Sequence, residues 1–315
     1  MVWKRKLQPE IRRTRMEEFQ VQLRDGTIMK GHHWPTPNPE ANYCMITGMQ
    51  EYSARYDELA RYLNDFHIEV WVLDAIGQGL NAPNPEDQMK WPENGFAKNV
   101  EGIHMMCLLA RKNGLPTTQA GHSMGSFMTQ RRLQVYPHDS DRTLIIGSNG
   151  GQACLMKMGY LLACLKVHKS NWDKPNPSLT KLSLGGYAKS VKNAETELDW
   201  LSYDEENRKA YAAHPYCGFP PTGGFWKELL RGVRLIWTKK ELKRVAKDEQ
   251  IFIIAGEEDP VGQFGKGPTW LCAAYQKLGV RNVTVKLYPH MRHEITNETE
   301  RGTVFVDIRD FVLGK

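Results

Sequence analysis
The sequence predicts an α/β fold: a mostly parallel central sheet with helices on both faces and a helical insertion between two late strands. Three observations carry it. Short apolar runs at 43–47, 68–73, 117–120, 144–147, 251–255 and 283–288 alternate with stretches of helical periodicity. Several of these runs are apolar on both faces, as strands covered by helices on each side must be. A glycine-framed serine, Gly121-His122-Ser123-Met124-Gly125, stands where one run meets a helix.

The chain's first readable element is a hairpin. Phe19, Val21 and Leu23 alternate with Glu18, Gln20, Gln22 and Arg24, and Asp25-Gly26 supplies the turn. Residues 27–34 then return until Pro35, Pro37 and Pro39 end the strand. This hairpin is the expected antiparallel edge. Tyr56, Leu59, Ala60 and Leu63 share one helical face, and Phe96, Val100, Ile103, Cys107 and Ala110 another. A third helix continues over 127–135 and stops before Pro137. Between 153 and 248 the rhythm breaks, with no strong strand run and loop signals at Trp172-Asp173-Lys174-Pro175, Gly185-Gly186 and Pro220-Pro221-Thr222-Gly223-Gly224. The expected organisation is a core of residues 1–152 and 249–315 with a helical cap or lid, 153–248, inserted between two core strands.

Composition narrows the class. The 315 residues are 41% hydrophobic and 25% charged, with a mean hydropathy of −0.54, an ordinary soluble balance. A chain of this size fills a core without staples. Its longest apolar stretches, 105–110 and 158–165, fall far short of the roughly 20 residues of a membrane span. The basic start, Met1-Val2-Trp3-Lys4-Arg5-Lys6, has no apolar stretch behind it, so no secretory signal is expected. Cys44, Cys107, Cys154, Cys164, Cys217 and Cys272 show no Cys-x-x-Cys spacing and read as buried free thiols of a cytoplasmic protein. The Asn-x-Thr sequons at Asn282 and Asn297 are then chance matches. A net charge of +6, spread along the chain without a recognition motif, does not point to nucleic acid.

The chemistry centres on Ser123. A G-x-S-x-G between strand and helix is a tight turn that tolerates only small neighbours, and the following helix N-terminus favours a developing anion. A serine hydroxyl needs a base, and the base an orienting acid, which in this arrangement follow in the order serine, acid, histidine. Asp259 lies just past the run 251–255. The next run, 283–288, leads into Pro289-His290-Met291-Arg292-His293-Glu294. Acid and histidine therefore fall on loops after successive strands. Spacing alone leaves His290 and His293 both open as the base. Glu257 and Glu258 read as a solvated rim.

Around these residues the sequence resembles bacterial α/β-hydrolases of the monoacylglycerol lipase and lysophospholipase group, often labelled serine aminopeptidase S33. The matching segments are 48–56, 74–79, 121–126, 256–262 and 288–294. The resemblance implies that the base is the histidine before the glutamate, His293, since His290 stands where glycine is usual. It also implies an oxyanion hole of two backbone N–H groups, those of Met124 and Met49. Three positions depart from the pattern: Thr47, Tyr52 and Gln78 each replace a histidine. The first two bear on loop rigidity and acyl-pocket shape, and Gln78 reads as structural variation.

Other motifs carry less. Gly77-x-Gly79-x-x-Ala82 resembles a dinucleotide fingerprint, but Pro83 and Pro85 stand where its helix should begin. His290-x-x-His293-Glu294 lacks the order and helical setting of a zinc motif. Residues 262–267 lack phosphate-loop spacing. No metal or organic cofactor is expected. The basic stretch 231–247, with Leu229, Leu230, Leu235, Ile236 and Trp237, reads as a lid helix with a solvated basic face; transient contact with a membrane surface is its other reading.

The expected activity is therefore hydrolysis of a small-molecule acyl ester, through Ser123, His293 and Asp259 and an acyl-enzyme intermediate. The resemblance favours monoacylglycerols or lysophospholipids. An S33-type peptidase and a catalytically silent binding scaffold are the alternatives. Oligomeric state is not legible.

Overall fold
In the computed structural model, which describes residues 15–315, eight strands form one sheet in the order β1-β2-β4-β3-β5-β6-β7-β8. They are β1 (Glu17–Gln22), β2 (Ile28–Trp34), β3 (Ala41–Ile46), β4 (Ile68–Leu73), β5 (Thr117–His122), β6 (Arg142–Ile146), β7 (Gln250–Gly256) and β8 (Asn282–Tyr288). β2 runs antiparallel to β1 and β4, and every other pairing is parallel. The opening hairpin is thus the antiparallel edge, closed by a Leu23 N–H to Thr27 carbonyl bond of 2.8 Å.

The helices are α1 (Asp57–Asn64), α2 (Gly95–Ala110), α3 (Met124–Val135), α4 (Ala153–Lys166), α5 (Pro177–Leu184), α6 (Tyr187–Ser190), α7 (Glu205–Ala213), α8 (Gly223–Ile236), α9 (Lys239–Leu242), α10 (Lys266–Lys277) and α11 (Arg301–Leu313). Successive strand residues face opposite sides of the sheet. On β3, Cys44 and Ile46 join the layer built by α2, α3, α8 and α10, whereas Tyr43 and Met45 join the layer built by α1 and α11. β3 and β5 are buried along their whole length, which explains their lack of polar alternation.

All six helices between β6 and β7 belong to the 153–248 stretch, where an isolated Pro175–Thr222 bridge is the only extended pairing among the described residues. α8 packs on α4, α2 and α3. At Gly232 an added Cβ would lie 2.1 Å from the Phe96 ring, so this contact requires glycine. Leu229, Leu230, Ile236 and Trp237 are buried in it, leaving a basic outer face on 231–247. Four of the five apolar side chains that would serve lipid contact there are thus turned inward, and Leu235 is half-buried. An exposed apolar stripe lies instead on α4, at Leu155, Met158, Leu161 and Leu165.

All six cysteines are free, but the expectation that all are buried needs correction. Cys44, Cys107 and Cys272 are buried, Cys164 and Cys217 are partly exposed, and Cys154 sits on the open side of α4. The basic start of the chain lies outside the described residues.

Candidate active site
β5 ends at His122 and α3 begins at Met124, leaving Ser123 between them at φ 52°, ψ −119°. Its N–H donates to Ile146 O on β6 at 3.0 Å, pinning the turn to the sheet. The flanking glycines are enforced by crowding: a Cβ at Gly125 would lie 2.6 Å from both the Ile46 and Thr47 carbonyls, and one at Gly121 2.3 Å from Thr129 Oγ1. The motif's small residues thus let the serine turn pass under β3.

The loops leaving β7 and β8 bring two more side chains to this turn. His293 Nε2 lies 2.8 Å from Ser123 Oγ, and His293 Nδ1 3.0 Å from Asp259 Oδ2. Asp259 is 0% exposed, and its Oδ1 accepts the Val261 N–H at 2.8 Å. A carboxylate on Nδ1 keeps the ring proton there and leaves the Nε2 lone pair facing the serine hydroxyl. His290 lies elsewhere. Its side chain is 89% exposed, 3.6 Å from Glu258, on a residue whose φ of 56° turns it outward. The two histidines that spacing left open are therefore separated by where the loop points them. They also share no partner, and no group of three His, Cys, Asp or Glu among the described residues could hold a metal.

Residues 47–51 run alongside Ser123: a Cβ on Gly48 would sit 3.2 Å from Ser123 Cβ. Gly48 N–H donates to the Glu51 carboxylate, Gln50 N–H donates to Gln78 Oε1 at 2.8 Å, and Gln78 Nε2 donates to Gly48 O at 2.7 Å. No protein group among the described residues accepts from the Met49 or Met124 amide. Met124 opens α3, where the first N–H groups have no intrahelical acceptor.

A buried ionic network, which the sequence did not reveal, supports the site from behind. Arg55 donates to Glu51 at 3.1 Å and to both oxygens of Glu294 at 2.8 and 2.7 Å. Asn207 on α7 adds a 2.7 Å bond to Glu294, and Tyr56 OH donates to Glu51 at 2.8 Å. His122 Nδ1 lies 3.2 Å from the same Glu51 oxygen. Burial opposes ionisation of Glu294, but the charge and hydrogen bonds of Arg55, then Asn207, outweigh it and hold its pKa at about 2. Burial likewise works against a charged His122, yet its bond to Glu51 raises its pKa above the ordinary value.

From the 153–248 stretch, the Trp200 ring lies 5.1 Å from that of His293, and Tyr187 packs 5.1 Å beyond it. Burial and the charge of Asp259 push the Tyr187 hydroxyl up to about 12. The backbone joins in: Glu294 N–H donates to Leu201 O at 2.7 Å, and the Arg292 guanidinium to Asp199 O at 2.6 Å. Aromatic residues at 187 and 200 carried no motif; only the fold sets them beside His293.

Comparisons with known proteins place the chain and its fold among relatives. A family described as "Serine aminopeptidase, S33" matches residues 37–300. The chain is 22% identical over 288 residues to the monoacylglycerol lipase of Mycolicibacterium smegmatis, covering 89% of this chain and 90% of that protein. A thermostable carboxyl esterase from Bacillus coagulans, solved with glycerol, superposes with a TM-score of 0.87 at 23% identity, over 96% of this chain and 99% of the other. A soluble variant of monoglyceride lipase from Saccharomyces cerevisiae, solved with a substrate analogue, superposes with a TM-score of 0.71 at 19% identity, over 96% of both chains.

Proposed function
We propose that this chain, which belongs to the serine aminopeptidase S33 family, is a serine hydrolase that cleaves carboxylic esters carrying one acyl chain, monoacylglycerols or lysophospholipids. The observation that carries the proposal is the continuous relay from Asp259 through His293 to Ser123, at 3.0 and 2.8 Å. Ser123 Oγ attacks the ester carbonyl as His293 Nε2 takes its proton, and Asp259 stabilises the imidazolium. The Met124 and Met49 amides stabilise the tetrahedral oxyanion. His293 then protonates the departing alcohol, and a water activated by the same ring releases the acid.

Residues 153–248 act as the cap. Trp200 and Tyr187 screen His293 from water on that side. The names of the mycobacterial and yeast relatives favour a monoacylglycerol over a peptide. The exposed stripe of α4, flanked by exposed Lys157 and Lys166, supports a cap that touches a lipid surface where its substrate resides. Six unpaired cysteines favour a cytoplasmic setting, and no helix among the described residues is long and apolar enough to cross a membrane.

The test is labelling with a fluorophosphonate followed by peptide mapping, alongside turnover of monooleoylglycerol and of an alanyl p-nitroanilide. Label on Ser123 with glyceride turnover is the expected result. Preferential cleavage of the anilide would make the chain a peptidase, and no label at Ser123 would remove the mechanism.

A further inference from the structure
We propose that Gln78 is a positioning residue that aims the Met49 amide at the oxyanion, a role that rests on the acyl-transfer reading of Ser123. Gln78 is 0% exposed and lies in the turn after β4, outside the relay itself. Its single amide group grips the 48–51 segment on both sides of Met49. Oε1 accepts the Gln50 N–H at 2.8 Å, while Nε2 donates to Gly48 O at 2.7 Å and to Glu51 O at 3.3 Å.

The bond to Gly48 O matters most. Gly48 C=O and Met49 N–H belong to one planar trans peptide, so they point in opposite directions. Drawing the carbonyl toward Gln78 turns the Met49 N–H to the other side of the segment. Gly48 itself is in close contact with Ser123, its missing Cβ leaving room for Ser123 Cβ at 3.2 Å. The Gly48 N–H bond to Glu51 and the Gln50 N–H bond to Gln78 occupy the neighbouring donors. Met49 N–H is thereby left as the donor available for a developing negative charge. Gln78 both donates and accepts from a group that does not titrate, so its grip is the same at every pH. The replacement that read from sequence as structural variation thus acts on the transition state.

The experiment compares wild type with Gln78→Met and Gln78→Glu, each normalised to Ser123 titrated with a fluorophosphonate, and with Ser123→Ala normalised to total protein. The readouts are kcat and KM on p-nitrophenyl butyrate and inhibition by an alkylboronic acid, which forms a tetrahedral adduct. Gln78→Met should lower kcat by about 10–100-fold and weaken boronate binding by a similar factor, with KM changed less than about threefold. A residue that merely supports folding would lower the titratable fraction and leave these ratios alone. In Gln78→Glu the protonated carboxyl can still donate to Gly48 O but the ionised one cannot. Its kcat relative to wild type should therefore rise by about threefold or more between pH 8 and pH 6. That ratio decides the matter if Gln78→Met does not fold. Wild-type kcat and boronate affinity in Gln78→Met, or a flat ratio in Gln78→Glu, would overturn the role of Gln78. Undiminished turnover in Ser123→Ala would instead overturn the acyl-transfer reading beneath it.

Discussion

Ser123 occupies backbone geometry that an L-residue adopts only at a cost of about 1–3 kcal/mol, and the surrounding bonds hold it there. That strain lifts Oγ to His293, whose ring is in turn fixed by Asp259. Replacing Asp259 with Asn leaves the packing nearly unchanged but removes the acceptor that keeps the proton on Nδ1. We expect kcat to fall by about 10⁴-fold while the thermal midpoint stays close to wild type. Steady-state kinetics beside a melting curve checks both halves. Ser123 and Asp259 were legible because Ser123 directly follows β5 and Asp259 lies three residues past β7, where sequence position nearly fixes spatial position. The histidine was not, because a positive φ at His290 and the fold-back of 291–293 decide which ring faces inward, and no spacing rule encodes that. The resemblance, rather than the geometry of the sequence, selected His293.

Among the elements, the hairpin strands were legible from their two-residue alternation, and central strands such as β3 and β5 from burial on both faces. Their ends shift by only a residue or two from the expected bounds, as ladder bonds extend past the apolar run. The helical stretch 153–248 was legible as a class but not in its contacts. Asn207 and Trp200 reach the site through bonds spanning about 90 residues of chain, which local pattern cannot report. The basic segment 231–247 shows how tertiary packing reassigns a face: Val233, Ile236, Trp237, Leu242 and Val245 belong to the core, and α4 carries the open stripe instead. Replacing both Leu161 and Leu165 by Ser should slow hydrolysis of vesicle-borne monooleoylglycerol by about tenfold or more, since each buried leucine is worth roughly 1.5–3 kcal/mol. Hydrolysis of a short soluble ester should be unchanged. Equal losses on both substrates would place α4 in the cap's own stability rather than at a lipid surface.

Across the whole molecule, one buried ionic network joins parts of the chain that the sheet alone would leave separate. Arg55 before α1, Glu294 after β8 and Asn207 on α7 meet behind the serine turn, so the loop after β8 and the helices of 153–248 share an anchor. Removing one partner from such a buried set costs about 3–5 kcal/mol, because the remaining charge is left without compensation. The network also sets an acid limit. Glu294 titrates at about 2 in the folded chain, below its ordinary value of 4.5, so its contribution is intact above pH 4.5 and is lost between pH 4.5 and about 2. The thermal midpoint of wild type should therefore drop more steeply over that window than that of Glu294→Gln; parallel curves would show that Arg55 does not hold this carboxylate. The central claim, that a serine relay at the top of this sheet cleaves acyl esters, is tested most directly by hydrolysis of p-nitrophenyl esters from two to sixteen carbons by wild type and Ser123→Ala. The account predicts turnover in wild type that varies with chain length and a loss of about 10⁶-fold in the variant. A loss of less than about tenfold, or no turnover by wild type at any length, would contradict it.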